Sequence, residues 1–176
     1  MSLTAPYFFQ YIENRDGYQV NDILLANITP RNVSIPLFLT QWSMALLIIM
    51  RTVKRPDIFL TCLYGFLVMN VLRLTTILIV PLNPPEGLIP LIDPLSNAFY
   101  GKGFVTKDLF FSGHTGSQFL ILLCLDKKRD KMISIVATTM VAAFVLIQHV
   151  HYTLDVVMAP FFAYISYRAG KKLALE

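Results

Sequence analysis

Two histidines and one aspartate stand where the chain could perform nucleophilic and acid–base chemistry. The run Ser112-Gly113-His114-Thr115 opens one apolar stretch, and His149-Val150-His151 closes the next. Asp155 follows His151 by four residues, a spacing that places both side chains on one face of a helix. A carboxylate there holds the proton on one imidazole nitrogen and leaves the other nitrogen free to attack or to accept a proton. His114, His151 and Asp155 are therefore the predicted catalytic group.

The helix that carries His114 is predicted to bind phosphate at its first turn. A helix N-terminus presents unpaired backbone N–H groups and the positive end of the helix dipole, and both attract an anion. Ser112 and Gly113 lie at this position and are the predicted phosphate contacts. Helix capping is the favoured alternative for Ser112, and also for Asp108 at the edge of the stretch.

Two basic residues are predicted to supply positive charge to the same phosphate. Lys107 precedes the stretch that contains His114, and Arg73 lies within an earlier apolar stretch. A charged side chain inside a membrane-spanning segment is costly, so it is a functional candidate by default. Arg73 is the stronger candidate, although pairing with Asp155 or with a backbone carbonyl is nearly as well supported.

Two neighbours of the catalytic group have other predicted roles. His149 is offset from His151 by two positions, so its ring is expected to point elsewhere and to serve helix packing. Tyr152 is a candidate aromatic contact for a quaternary ammonium headgroup. Aromatic residues also form belts at membrane interfaces, and the belt is the favoured explanation for Tyr152.

The composition is that of a membrane protein. The chain has 176 residues, of which 55% are hydrophobic and 15% charged, too little charge to solvate an ordinary soluble domain. Its apolar residues gather into stretches that approach or reach the length needed to cross a bilayer. We therefore predict an all-α, polytopic membrane helix bundle with five spanning helices, at residues 33–50, 58–82, 109–125, 132–150 and 152–167.

Several other classes of protein and site are excluded. The basic residues do not share one exposed face, so nucleic acid is not an expected partner. Cys62 and Cys124 both fall inside apolar stretches and imply no disulfide framework. With two cysteines and three histidines, a structural zinc cluster is improbable. We expect neither a metal nor a cofactor.

Basic residues also favour one orientation in the membrane. Ten of the fifteen Lys and Arg residues follow the first, third and fifth predicted spans: Arg51, Lys54, Arg55, Lys127, Lys128, Arg129, Lys131, Arg168, Lys171 and Lys172. Basic loops stay in the cytoplasm. The C-terminus is therefore predicted to be cytoplasmic, and the histidines are predicted to lie on the outer, luminal or periplasmic side with the connection from Pro81 to Asp108.

The chain is predicted to form a single integral-membrane domain over residues 1–176. Residues 1–32 are expected to form an outer segment, and the aromatic run from Pro6 to Ile12 is expected to lie at the membrane surface. Residues 33–168 are expected to form the catalytic helix bundle, and residues 169–176 a cytoplasmic tail. Repeats, low-complexity tracts and linkers are not evident in the sequence.

Two motifs resemble those of a known enzyme family. The stretches Asp108-Leu-Phe-Phe-Ser-Gly-His-Thr115 and His149-Val-His-Tyr-Thr-Leu-Asp-Val156 resemble the sphingomyelin synthase branch of the type 2 phosphatidic acid phosphatase (PAP2) superfamily. A weaker third match is Arg73-Leu-Thr-Thr76, followed by Pro81, Pro84 and Pro85. The resemblance covers residues 36–168. In three respects the chain departs from the family: the first spanning helix is expected to be absent, Val150 replaces an acidic residue found in many relatives, and a basic pair ahead of the second span is kept only loosely, as Lys54-Arg55.

The resemblance implies a reaction. Members of this branch arrange six helices around a His, His, Asp triad and transfer a headgroup phosphate from a glycerophospholipid to the primary hydroxyl of ceramide. By this resemblance His151 is the nucleophile that forms a phosphohistidine, Asp155 orients it, and His114 acts first as acid and then as base. The implied partners are a glycerophospholipid donor, a ceramide or diacylglycerol-type acceptor, and the bilayer. Self-association into a homo-oligomer is left open.

Two other functions compete with this hypothesis. In a lipid phosphate phosphatase, water would replace the acceptor alcohol. Related phosphatases meet the larger charge of a phosphomonoester with an additional arginine six residues before the second histidine, where this chain has Val145. A non-catalytic lipid-binding protein, in which the three residues merely line a polar cavity, is the third hypothesis.

Overall fold

The computed structural model describes residues 5–53, 55–91 and 105–175. The start of the predicted outer segment, Lys54 and residues 92–104 of the predicted outer connection lie outside these ranges. Within them the chain forms helices and a single isolated β-bridge, so the predicted all-α class is confirmed. The helices are α1 (Ala5–Asn14), α2 (Ile23–Ala26), α3 (Ser34–Thr52), α4 (Pro56–Ile79), α5 (Gly113–Cys124), α6 (Lys128–Ile147) and α7 (Thr153–Leu173).

Three of these helices, α3, α4 and α6, are long and apolar enough to cross a membrane. Helix α5 has 12 residues and is shorter than the predicted stretch at 109–125. At about 1.5 Å per residue it extends only about 18 Å, against about 30 Å for a hydrocarbon core. The helix begins only at Gly113, because the chain before it, which contains the buried residues Leu109 and Phe111, is not helical.

Helix α5 is nevertheless protected from lipid because it lies at the centre of the bundle. It contacts α3, α4, α6 and α7, and more than half of its residues are buried. Non-helical backbone at membrane depth is tolerated where protein surrounds it. The short helix and the extended segment before it therefore fit inside a bundle whose outer helices face the lipid.

Helices α4 and α7 pack with their backbones in contact. A Cβ atom at Gly170 would lie 2.7 Å from Cα of Gly65, a distance that real Cβ atoms essentially never show. Large apolar side chains of α4 and α5, such as Met69 and Leu120, fill the core beside this contact. The close approach fixes the position of α7, which begins next to His151, relative to α4.

The starts of α3, α5 and α7 and the ends of α4 and α6 meet at one end of the bundle, here called the histidine end. At the opposite end, Arg51 of α3 makes two hydrogen bonds, of 2.6 and 3.1 Å, to the buried carboxylate of Asp130 on α6. Arg55 pairs there with Asp126, at 3.1 Å. These ion pairs join the helices at the end far from the histidines.

The N-terminal segment lies across the histidine end and packs onto the bundle. Ile12 of α1 is completely buried, whereas Tyr7 and Tyr11 are exposed. Tyr18 then pairs with the chain after α4: its N–H donates to the carbonyl of Pro81 at 2.9 Å. Gly17 permits this pairing, because a Cβ atom there would lie 2.6 Å from the backbone carbon of Leu82.

Candidate active site

The start of α5 is held by a serine cap. The Oγ of Ser112 accepts a hydrogen bond from the N–H of Thr115 at 3.4 Å, and Ser112 is fully buried. The backbone N–H of Ser112 donates to the carbonyl of Asp155 at 3.1 Å. This bond ties the first turn of α5 to the first turn of α7. Ser112 therefore caps the helix, which is the favoured alternative to its predicted role as a phosphate contact.

The rings of His114 and His151 lie close together at the histidine end. Their centroids are 6.3 Å apart, and the ring planes are inclined by 62°. His114 belongs to the first turn of α5, and the centroid of the Phe38 ring on α3 also lies 6.3 Å from that of His114. His151 is 3% exposed. Two imidazoles from different helix junctions are thus neighbours at the histidine end.

Asp155 faces His151 as its spacing predicts, but through a different local structure. His151 precedes α7 rather than belonging to it, because Tyr152 is the N-cap and the helix begins at Thr153. The carboxylate of Asp155 turns back over this helix start: Oδ2 accepts the N–H of Tyr152 at 2.9 Å and lies 3.4 Å from Nδ1 of His151. Nδ1 is the ring nitrogen next to the carboxylate, and it makes no hydrogen bond within the described residues. In the tautomer that carries the proton on Nδ1, Nε2 keeps the lone pair.

Arg73 brings positive charge to the start of α5. It lies in the last two turns of α4, and its Nη2 is 2.5 Å from Oδ1 of Asp108. Its guanidinium covers Gly113 so closely that a Cβ atom there would lie 2.5 Å from Cζ. Arg73 therefore pairs with Asp108, and not with Asp155, while its guanidinium lies against the turn that contains His114.

Thr76 is a supporting residue for which the sequence alone predicts no role, although it belongs to the motif Arg73-Leu-Thr-Thr76. Its Oγ1 lies 2.8 Å from the carbonyl of Phe110 and 3.0 Å from the carbonyl of Arg73. The hydroxyl thereby joins α4 to the segment that leads into α5. The run Arg73-Leu-Thr-Thr76 is the sequence signal that could reveal this contact. Within it Arg73 carries the charge, and Thr76 holds the segment that leads into α5.

Lys107 is arranged differently from Arg73. Its ammonium group donates to the backbone carbonyl of Arg15, at 2.5 Å. The charge of Lys107 is thus directed at the N-terminal segment. The two basic residues predicted to share one phosphate have different partners in the structure.

His149 lies apart from the catalytic group and joins backbone segments. Its Nδ1 is 2.7 Å from the carbonyl of Glu86, and its Nε2 is 2.9 Å from the carbonyl of Ile28. The residue follows Gln148, the C-cap of α6, and its φ of 56° lies in the left-handed region. The ring is buried between these segments.

Tyr152 is almost completely buried, at 1% exposure. Its hydroxyl donates to the carbonyl of Asn83 at 3.0 Å, so the ring fastens the chain after α4 to the start of α7. A ring that is buried in this way belongs neither to an aromatic belt at the membrane interface nor to an open aromatic cage for a headgroup. In the described ranges, groups of three or more His, Cys, Asp or Glu side chains arranged to hold a metal ion are also absent.

Comparison with known protein families gives a match over part of the chain. Residues 107–171 match the family model described as PAP2 superfamily C-terminal. No curated protein and no solved structure matches the chain significantly. The matched stretch contains α5, α6 and α7 with His114, His151 and Asp155, whereas Arg73 precedes it. The chain is thus similar to the PAP2 superfamily over residues 107–171, which hold all three predicted catalytic residues.

Proposed function

We propose that the protein is a membrane phosphotransferase that moves a headgroup phosphate from a glycerophospholipid to a lipid hydroxyl through a phosphohistidine intermediate. The match to the PAP2 family model supports the coarser statement, an enzyme that removes or transfers phosphate groups on lipid substrates. The sphingomyelin synthase-like motifs favour transfer, with a ceramide-like acceptor. The observation that carries the proposal is the proximity of two imidazoles, those of His114 and His151, beside a buried carboxylate.

The spacing of the two rings suits displacement at phosphorus. An attacking nitrogen must come within about 3–3.5 Å of the reacting atom. A general acid must come within about 2.6–3.2 Å of the leaving oxygen. Rings whose centroids are 6.3 Å apart can approach one phosphoryl group from two sides. His151 would then attack while His114 meets the oxygen that departs.

The first step cleaves the donor. Nε2 of neutral His151 attacks phosphorus and forms an N–P bond, while the bond from phosphorus to the diacylglycerol oxygen breaks. Protonated His114 gives its proton to that oxygen, so diacylglycerol leaves as a neutral alcohol. The carboxylate of Asp155 keeps the proton on Nδ1 and stabilises the positive charge that develops on the ring of His151.

The second step regenerates the enzyme. His114, now neutral, accepts the proton of the acceptor hydroxyl, and the acceptor oxygen attacks the phosphohistidine. The N–P bond breaks, and His151 returns to its neutral form. The charge on the phosphoryl oxygens is met by the guanidinium of Arg73 and by the backbone N–H groups at the start of α5.

The charges at the site favour a phosphodiester over a phosphomonoester. A phosphomonoester carries a charge of about −1.5 to −2 near neutral pH, whereas a phosphodiester carries a single negative charge. Arg73 brings one guanidinium to the start of α5, and Asp108 offsets part of its charge. Lys107 is directed at Arg15 instead. This complement supports headgroup transfer rather than hydrolysis of phosphatidic acid.

We further propose that the histidine end faces the outer, luminal or periplasmic side and that the C-terminus is cytoplasmic. The basic residues at the opposite end, among them Arg51 and Arg55, support this orientation under the rule that basic loops stay in the cytoplasm. The site would then receive donor and acceptor lipids from the non-cytoplasmic leaflet.

The proposal is tested with the purified full chain in vesicles that contain a glycerophospholipid labelled in its headgroup phosphate, together with ceramide. Mass spectrometry should detect the headgroup on ceramide and an equal amount of diacylglycerol. His151→Ala should abolish both turnover and the labelled covalent adduct. His114→Ala should slow turnover more than adduct formation when the leaving group is acidic.

Two further assays separate the alternatives. Vesicles with phosphatidic acid report release of inorganic phosphate, and rapid release without transfer to ceramide would replace the proposal with a lipid phosphatase. His149→Asn is the matched histidine control, since its adduct should form normally per folded molecule. Lipid turnover that survives the loss of both His114 and His151 would overturn catalysis by this group.

A further inference from the structure

We propose that Glu13 is a positioning residue for the phosphate-binding group, acting through the segment 106–108. The inference rests on the proposed function in one respect, the role of Arg73 toward phosphate. It assigns to the N-terminal segment a part in organising the site, in addition to any contact that the segment makes with the membrane surface.

The carboxylate of Glu13 serves as a cap for residues 106 and 107. Its Oε2 accepts the backbone N–H groups of Thr106 at 3.0 Å and of Lys107 at 3.3 Å, and its Oε1 accepts the hydroxyl of Thr106 at 2.5 Å. One ionised side chain thus satisfies three donors of two consecutive residues. Charge-assisted hydrogen bonds of this kind are stronger than neutral ones and fix the orientation of the chain that donates them.

A second set of hydrogen bonds also joins the N-terminal segment to residue 107 and, in addition, to the end of α4. The ammonium of Lys107 donates to the carbonyl of Arg15, two residues after Glu13. The guanidinium of Arg15 donates in turn to the carbonyls of Ile77 and Leu78 in the last turn of α4. The end of α1 is therefore held to both the segment 106–108 and the end of the helix that carries Arg73.

Asp108 links the capped residues 106 and 107 to Arg73 in the candidate active site. Asp108 follows directly after the two residues capped by Glu13, and its carboxylate pairs with Nη2 of Arg73. The guanidinium of Arg73 lies against Gly113 at the start of α5. The contacts thus run from Glu13 through the backbone at 106–107 to Asp108, then to Arg73 and the turn that holds His114. Loss of the cap should release Asp108 and allow Arg73 to change its orientation.

The kinetic test compares Glu13→Ala and Glu13→Gln with the control Asp16→Asn in the headgroup-transfer assay. Asp16 is an exposed carboxylate three residues further on, so its change removes the same charge from the same segment. We expect Glu13→Ala to lower kcat/KM for the donor about tenfold, less than the loss of about 10²-fold that a full displacement of about 1 Å can cause. Glu13→Gln should lose less, because its amide oxygen still accepts a backbone N–H, and Asp16→Asn should match the unchanged protein.

A double-mutant cycle separates positioning from general loss of structure. If Glu13 acts through Arg73, Glu13→Ala should cost little further activity in a chain that already carries Arg73→Lys. A merely structural role would lower activity by the same factor in both backgrounds. Equal factors, or full activity of Glu13→Ala in the unchanged background, would overturn the proposal.

Hydrogen exchange provides a readout that does not depend on turnover. The backbone N–H groups of Thr106 and Lys107 should exchange faster in Glu13→Ala than in Asp16→Asn, with the protein in the same detergent. Unchanged exchange at these two positions would overturn the cap itself. If the cap is detected but the unchanged protein transfers no headgroup, the proposed function fails, and with it the catalytic consequence of Glu13.

Discussion

The guanidinium group of Arg73 occupies the space that a side chain at Gly113 would need. A Cβ atom at position 113 would lie 2.5 Å from Cζ and 3.0 Å from Nε of Arg73. Because Gly113 is the first residue of α5, this contact brings the charge of α4 to the backbone N–H groups that open α5. The absence of a side chain at one residue thus permits the charge arrangement on which phosphate binding depends in the proposed mechanism.

Gly113→Ala should therefore impair catalysis more than folding. The added methyl group must displace the guanidinium, since real Cβ atoms do not approach other atoms within 3.0 Å. Removal of one group that stabilises charge in a transition state costs about 10²–10³-fold in rate. We expect kcat/KM for the donor lipid to fall by about 10²-fold, measured in vesicles, while the thermal unfolding temperature changes little.

Gly116→Ala is the matched control for this substitution. It lies one turn further along α5, where an added Cβ would meet Sδ of Met69 at 3.2 Å. The flexible methionine side chain can move by the few tenths of an ångström required. Activity should remain close to that of the unchanged protein. Equal losses in the two variants would show that α5 tolerates no alanine and would remove the special role of Arg73.

Arg73→Lys tests whether the shape of the cation matters as well as its charge. A guanidinium can hold Asp108 with one nitrogen and a phosphate oxygen with another, whereas an ammonium group acts as a point charge. We expect kcat/KM to fall at least about tenfold, which corresponds to a loss of about 1.4 kcal/mol of transition-state stabilisation. Full activity of Arg73→Lys in the vesicle assay would exclude bidentate recognition of phosphate.

Asp155→Asn should slow formation of the phosphohistidine. The amide oxygen can still accept the N–H of Tyr152, so the cap of α7 is kept. The neutral amide, however, cannot stabilise the charge that develops on His151, and loss of the corresponding carboxylate in a catalytic triad costs up to about 10⁴-fold. We expect a loss of about 10²–10⁴-fold in the rate of labelled adduct formation, measured by rapid quenching.

The control for Asp155→Asn is Asp126→Asn, which changes a carboxylate at the opposite end of the bundle. Its adduct should form at the normal rate. If Asp155→Asn formed the adduct equally fast, the carboxylate would be a helix cap only, and His151 would need no orienting partner.

The sequence predicts the architecture better than it predicts the supports of the site. The apolar stretches, and the reversal of chain direction between the third and the fourth of them, predict that His114 and His151 approach each other. The proximity of His151 and Asp155 was also expected, but from a continuous helix. The actual contact depends on a helix that begins after His151, which periodicity cannot distinguish from one that includes it.

The remaining contacts depend on residues far apart in the chain. The pair of Arg73 and Asp108 and the cap of Glu13 on Thr106 join segments that carry no local pattern in common. The length of α5 could not be predicted either. Leu109 and Phe111 are as apolar as the helix that follows, so hydropathy does not reveal where the helix begins.

His149→Asn should destabilise the protein without removing its chemistry. Asparagine tolerates the left-handed backbone at this position but cannot reach both carbonyls that the imidazole contacts. Each buried group left without a partner costs about 1–3 kcal/mol. Thermal unfolding in detergent should show this loss, with adduct formation per folded molecule preserved. A variant that is fully stable but forms no adduct would instead move His149 into the catalytic group.

Asp22 should make the attachment of the N-terminal segment sensitive to acid. Its carboxylate accepts the backbone N–H of Thr153 at 2.6 Å, the hydroxyl of Thr153 at 2.9 Å and the N–H of Leu25 at 3.1 Å. Burial alone would raise the pKa of Asp22, but these hydrogen bonds outweigh it and lower the pKa below the ordinary value of 3.8. A carboxylate with a lowered pKa in the folded state stabilises that state fully above pH 3.8, and the contribution is lost as the pH falls further.

Asp22→Ala should therefore lose about 1–2 kcal/mol of stability at neutral pH, the usual cost of removing a helix cap. It should also show a weaker fall in stability below pH 3.8 than the unchanged protein. Thermal unfolding in detergent, followed from neutral to acid pH, measures both effects. Asp16→Ala, which removes an exposed carboxylate from the same segment, should leave the acid profile unchanged. Identical acid profiles for Asp22→Ala and the unchanged protein would mean that the N-terminal segment is held to α7 by packing, with no contribution from this carboxylate.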